Sequence, residues 1–137
     1  MSDSVQEYVS ALQARDWARM GRTLTEDIRR EGPEGAGTDD IQGRDAYLKW
    51  SADLLDPLYG FTWTPSRFIR GASGEQVVVE AESRYEPKQG DQPFGYRLAV
   101  VFDLNPQGLI HQVSYYWKTP RQRLAWDTVA GDEAKNR

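Results

Sequence analysis

The chain has 137 residues, 39% hydrophobic and 28% charged, and a net charge of -4. This is one domain, long enough to bury a core, and its acidic balance argues against a nucleic-acid partner. With no Cys and one His, disulfides, thiolate metal sites, a Cys nucleophile and His-rich metal centres are excluded.

Val5, Tyr8, Val9 and Leu12 recur at helical spacing, and Ser4 with Glu7 forms a capping-box signature before them. Asp16 is a good N-cap for a second helix, on which Trp17, Met20 and Leu24 share a face. Arg15, Arg19 and Arg22 also share a face, read as solvated. Asp27 to Glu31 reads as a short strand ended by Gly32-Pro33, and 35–40 as a loop. A third helix starts after Gly43, carries Tyr47, Trp50, Leu54 and Leu58 on one side, and ends at Pro57. Phe61 to Arg70 is rich in β-formers, with Pro65 implying a bulge or an edge strand.

After a turn at Gly71 to Gly74, Val79 to Glu86 alternates strictly, the pattern of a half-buried strand. Pro87 to Pro93 is a loop, Phe94 to Leu104 a strand, Asn105 to Gly108 a turn and Leu109 to Lys118 a strand. Thr119-Pro120 is a possible helix start, and 131–137 reads as a frayed tail behind a single domain over 1–130. Three helices followed by a strand meander give an α+β class, with helices on one face of an antiparallel sheet. No apolar run reaches the ~18 residues of a membrane span. No signal-peptide segment follows Met1-Ser2-Asp3, so a cytoplasmic location is expected.

The order of elements resembles the nuclear transport factor 2-like cone fold, which includes ketosteroid isomerases, SnoaL-type polyketide cyclases and limonene epoxide hydrolases. Two stretches carry the likeness. Glu7 to Asp16 is similar to the family's first helix and its polar corner, and Phe102 to Ile110 to its strand–turn–strand. The resemblance implies a strongly curved sheet wrapped around three N-terminal helices, as in cystatin-like cones, enclosing an apolar cavity. It places Val77, Val79, Ala81, Ser83 and Tyr85 inward, with Leu98, Val100, Phe102 and Leu104, and with His111, Val113, Tyr115 and Trp117. It also implies a homodimer through the convex face, where Ala99, Val101, Ile110 and Tyr116 form an apolar strip rimmed by Arg84, Arg97 and Asp103.

Carried over residue by residue, the family's first-helix Tyr falls on Tyr8. The isomerase base falls on Gly32, the oxyanion-hole Asp on Val100, and the last-strand Asp of cyclases and epoxide hydrolases on Trp117. The three usual carboxylates are therefore replaced. Tyr8 remains as a hydrogen-bond donor to a ligand oxygen. Glu34, two residues past the lost base, and His111, the sole His, are the candidate proton carriers.

Asp39-Asp40 lacks the further acidic ligands of a cation site. Gly71 to Glu75 misses a nucleophile elbow, and 35–40 lacks the third Gly of a dinucleotide loop. No metal or cofactor is implied. Sixteen aromatic residues (five Trp, seven Tyr, four Phe) suggest a pocket for a small apolar or aromatic ligand. Trp50, Trp63, Ser83, Tyr85, Val100, Phe102, Tyr115 and Trp117 are its expected lining. Two functions fit: a tailoring enzyme (cyclase, isomerase or dehydratase) acting on a polycyclic, polyketide or steroid-like carbonyl compound, or a non-catalytic ligand-binding or dimerisation module.

Overall fold

The structure, a computed structural model, describes residues 3–32, 40–88 and 92–118, with Trp117 and Lys118 described by backbone alone. Helix α1 (Ser4–Ala14) leads through α2 (Trp17–Gly21) into β1 (Leu24–Glu31). The short β2 (Ile41–Gln42) precedes α3 (Arg44–Leu55). Four long strands follow: β3 (Gly60–Arg70), β4 (Gln76–Glu86), β5 (Phe94–Leu104) and β6 (Ile110–Lys118). They form one six-stranded sheet in the order β2-β1-β6-β5-β4-β3.

Four of the neighbouring pairs are antiparallel; the β1–β6 pair is parallel. The expected antiparallel sheet is found, with this one parallel pair added to it. Here the chain returns after all the other strands to lay β6 beside β1, and the Ile110 N–H donates to the Thr23 carbonyl at 2.9 Å. The class is α+β, with the sheet curved around the N-terminal helices.

Local chemistry explains the helix ends. Asp3, not Ser4, caps α1: its carboxylate accepts from the Gln6 N–H at 2.8 Å, while the Ser4 hydroxyl donates to the Gly108 carbonyl at 2.5 Å. Glu7 is drawn away from a capping box by an ion pair with Arg19. Arg15 closes α1 in the left-handed region (φ 52°), its N–H bonding back to Ala11 and Leu12. Its guanidinium donates to the carbonyls of Leu55 and Leu58 at 3.0 and 3.3 Å, tying the end of α1 to the end of α3. Arg15 and Arg19 thus have separate partners rather than forming one solvated face. Asp16 caps α2 as expected, accepting from the Arg19 N–H at 3.1 Å. That helix stops at Gly21, and Leu24 opens β1 instead of ending a helix.

The sheet follows the alternation closely in β4, where Val77, Val79, Ala81 and Ser83 are buried and Glu82 and Arg84 exposed. Pro65 lies on the edge strand β3 at a register shift between Pro65 and Arg67, as its missing N–H requires. One parity expectation fails. β6 pairs Ile110 with Leu104 and Gln112 with Asp103, so His111 is an extra residue in a bulge. The bulge flips the strand's faces: Ile110 is fully buried, removing it from the convex strip, and His111 is exposed rather than inward. Beyond the bulge Val113 and Tyr115 point inward as expected. The core joins Val5, Val9 and Leu12 of α1 to Val77, Val79, Val100, Phe102 and Val113 of the sheet.

Candidate functional site: a cavity with a phenolic floor

Between α1, α3 and the inner face of the sheet lies a cavity of about 260 Å³. Its closed end is built from Tyr8 of α1, Tyr47 of α3, Tyr115 of β6 and Arg30 of β1. Trp50, Trp63 and Leu98 form the walls, and Tyr85, Tyr96, Phe94 and Leu54 stand toward the open end. Tyr8, Tyr47 and Arg30 are no more than 3% exposed, whereas Phe94 and Leu54 are 42% and 46% exposed.

Helical spacing places Tyr8 inward with Val5 and Leu12, and its ring meets Phe102 edge-on at 5.1 Å. The Tyr8 and Tyr47 hydroxyls are in direct hydrogen-bond contact, and the Tyr115 hydroxyl lies 3.3 Å from that of Tyr8. Burial, then Tyr115 and Tyr47, holds the Tyr8 phenol well above its ordinary value. Burial, then Tyr115, does the same to Tyr47, opposed by the positive charge of Arg30. Burial pushes Tyr85 up to about 12. All three phenols are neutral at ordinary pH, so they act as hydrogen-bond donors and not as bases. Two buried phenols in contact share one proton between them, and the second proton is left to donate elsewhere. A chain of such bonds strengthens that donor.

The cavity unites Tyr8, Trp50, Trp63, Tyr85 and Tyr115 of the expected site residues. Val100 and Phe102 are fully buried in the core behind the floor, and Ser83 is buried on β4; none of the three is among the lining residues. These three were expected in the lining and stand outside it, because the sheet's inner face is wider than the cavity. His111 stands outside it in the exposed bulge. Glu34 and the Trp117 side chain lie outside the described residues.

Sequence reasoning missed Tyr47 and Arg30. Tyr47 was visible as an apolar-face residue of α3. Arg30 follows the parity of Ile28 in β1, but an arginine in a charged stretch reads as exposed. The described residues lining the cavity include no Asp, Glu or His. No group of three or more His, Asp or Glu among the described residues is placed to hold a metal ion.

A sheet curved over N-terminal helices around a deep pocket defines the nuclear transport factor 2-like class. Residues 5–113 match the SnoaL-like domain family, and the chain belongs to it. A search of curated sequences finds no match. Solved structures share the fold. Rv0760c from Mycobacterium tuberculosis, in complex with estradiol-17β-hemisuccinate, is 20% identical with a TM-score of 0.73, over 84% of this chain and 91% of that one. SalBIII, an epoxide hydrolase/cyclase-like enzyme with a role in pyran ring formation in the polyether salinomycin, is 22% identical with a TM-score of 0.71, over 83% and 87%. A limonene epoxide hydrolase-like epoxide hydrolase of M. tuberculosis is 22% identical with a TM-score of 0.68, over 84% and 80%.

Proposed function

We propose that the chain binds an apolar polycyclic, polyketide or steroid-like carbonyl compound in the cavity. Its carbonyl oxygen would accept from the phenol cluster at Tyr8, and the bound compound would undergo cyclisation, isomerisation or dehydration. The observation that carries this reading is the buried contact of Tyr8 with Tyr47 at the closed end of an aromatic pocket. A neutral phenol shielded from water stabilises the negative charge that develops on a carbonyl oxygen during enolisation or aldol-type ring closure. The solved relatives support it in kind, since Rv0760c holds a steroid ester and SalBIII acts in ring formation.

The proton acceptor in this reading is Glu34, and the test is a Glu34→Gln variant. Loss of turnover with ligand affinity kept supports the assignment; unchanged turnover removes it. Val100 stands in the core, and Gly32 ends β1 with its N–H bonded to the Asp40 carboxylate at 3.0 Å. With no carboxylate at either position, isomerisation of a Δ5-ketosteroid is expected to be negligible, since acid–base groups typically contribute about 10²–10⁴-fold each. A measured turnover above background would overturn that expectation.

A second reading, a non-catalytic binding module, is favoured by the lack of any carboxylate or imidazole among the described lining residues. It predicts tight binding and no product with any carbonyl ligand that binds. In either reading we place a homodimer contact on the convex face. Tyr116 is 61% exposed there, with Ala99 and Val101 half-buried beside it and Arg97 at the rim. Sedimentation at micromolar concentration should give twice the chain mass, and a monomer would rule the contact out.

A further inference from the structure

Five large apolar side chains stand exposed among the described residues, and three of them gather at the open end of the cavity. Leu54 and Phe94 line that end and are 46% and 42% exposed. Tyr59, which follows the lining residue Leu58, is 78% exposed. Apolar surface collected in one place, rather than scattered singly, marks a docking surface.

The sheet register shows what passes beside it. The last pairs of β6 are Trp117 with Leu98 and Lys118 with Arg97, and β5 begins at Phe94, opposite Tyr85 at the end of β4. The strand β6 therefore runs out toward the open end. It stops level with a point three residues short of Phe94, a distance of about 10 Å at the usual strand rise. Residues 119–137 follow and lie outside the described residues. Pro120 has no N–H with which to extend the strand. Leu124, Ala125, Trp126, Val129 and Ala130 make the next stretch apolar, while 131–137 is polar. Leu124 and Trp126 are six and eight residues beyond Lys118, a reach of up to about 20 and 27 Å, enough to cross from β6 to the end of α3.

Charge favours the same placement. Arg121 and Arg123 lead into the apolar stretch. Beside Leu54, the end of α3 carries Asp53 and Asp56. Asp56 accepts from the neutral indole N–H of Trp17 at 3.1 and 3.2 Å, a bond that leaves its charge in place. The C-terminal end of a helix also attracts cations. These groups are exposed, so they set the direction of approach more than its strength.

We infer that residues 121–130 of the chain fold back over the open end of the cavity. Leu124 and Trp126 sit against Leu54 and Phe94, and a bound ligand leaves only when the segment lifts. The covering role rests on the reading of the cavity as a small-ligand site; the docking itself does not.

The test uses the full chain, which has no Cys, so a nitroxide on Thr128→Cys is a single label. In the isotope-labelled protein the amide signals of Leu54, Tyr59 and Phe94 should lose most of their intensity. Those of Gly74 and Gly108, in the turns at the opposite end of the sheet, should keep theirs. Adding Trp126→Ser, a change outside the described core, should restore the lost signals. Full intensity at the open end in the labelled chain overturns the inference. Loss that persists when isotope-labelled chains without nitroxide are mixed with unlabelled nitroxide-bearing ones also overturns it, since a second copy then supplies the occupant. For the covering role, release of 2-naphthol is followed by the fluorescence of Trp50 and Trp63. Trp126→Ser should speed release several-fold, and an unchanged rate overturns that role. Failure of 2-naphthol to bind tells against the cavity reading alone, and the nitroxide measurement still decides the docking.

Discussion

The closed and open ends of the cavity are made of similar residue types and do opposite things. At the closed end, aromatic rings carry hydroxyls bonded to one another, beside a cation that lies over one of those rings, Tyr115, and over Trp50. At the open end Tyr85 and Phe94 stack at 4.9 Å, Tyr96 packs edge-on against both, and Phe94 is partly in water. Buried polar groups are costly to leave unpaired, so in the proposed function the closed end would discriminate among ligands. Exposed ring faces offer area with little penalty, so the open end would add affinity without much selectivity.

The difference is broken most severely by alkali. The folded-state values of Tyr8, Tyr47 and Tyr85 are raised, so above about pH 10 the unfolded chain releases phenolic protons that the folded one keeps. Stability should be flat with respect to these groups below pH 10 and fall steeply between 10 and 12. A melting temperature unchanged up to pH 12 would show that these phenols are not buried as described.

Phe102→Ala should cost about 3–5 kcal/mol by removing a fully buried ring behind the floor. Chemical denaturation should show the full loss, with affinity for a bicyclic aromatic probe such as 2-naphthol, per folded molecule, much less affected.

Tyr8→Phe should weaken binding of a carbonyl ligand by about 1–3 kcal/mol. It should also lower the melting temperature, because the Tyr47 hydroxyl loses its neighbour. Adding Tyr47→Phe separates the two effects. With both hydroxyls gone, only the part-buried Tyr115 hydroxyl, 3.3 Å from that of Tyr8, loses a neighbour, so stability should partly return while affinity stays low. A double variant that regains affinity would mean that the phenols serve only the fold.

The smallest effect belongs to Phe94→Ala, which should reduce affinity for a bicyclic aromatic probe such as 2-naphthol by about 1 kcal/mol or less. A larger loss would mean that the open end does more than add apolar area.

The fold was legible where local pattern and burial coincide. β4 alternates because each inward residue meets the core and each outward one meets water, and Tyr8 follows from helical spacing alone. His111 was misplaced because a bulge in β6 is decided by its pairing with β5, and nothing within the strand signals it. Arg30 was missed for a related reason: its burial depends on two rings that are distant in sequence and meet only in the folded cone. Asp3 took the cap expected of Ser4 because Ser4 has a competing partner at Gly108, 104 residues away.

The parallel pairing of β1 with β6 also governs when the cavity comes into being during synthesis. Leu24 is matched with Ile110 and Arg30 with Val113, so the sheet cannot close until nearly all of the described chain has emerged. A nascent chain at about 5–20 residues per second would carry Tyr8, Tyr47 and Arg30 for seconds before Tyr115 arrives to cover them. Such distant contacts also slow folding in general. The chain is therefore expected to fold late and all at once, with a vulnerable interval in which a chaperone, or a ligand able to bridge the unfinished floor, would have the most influence on yield.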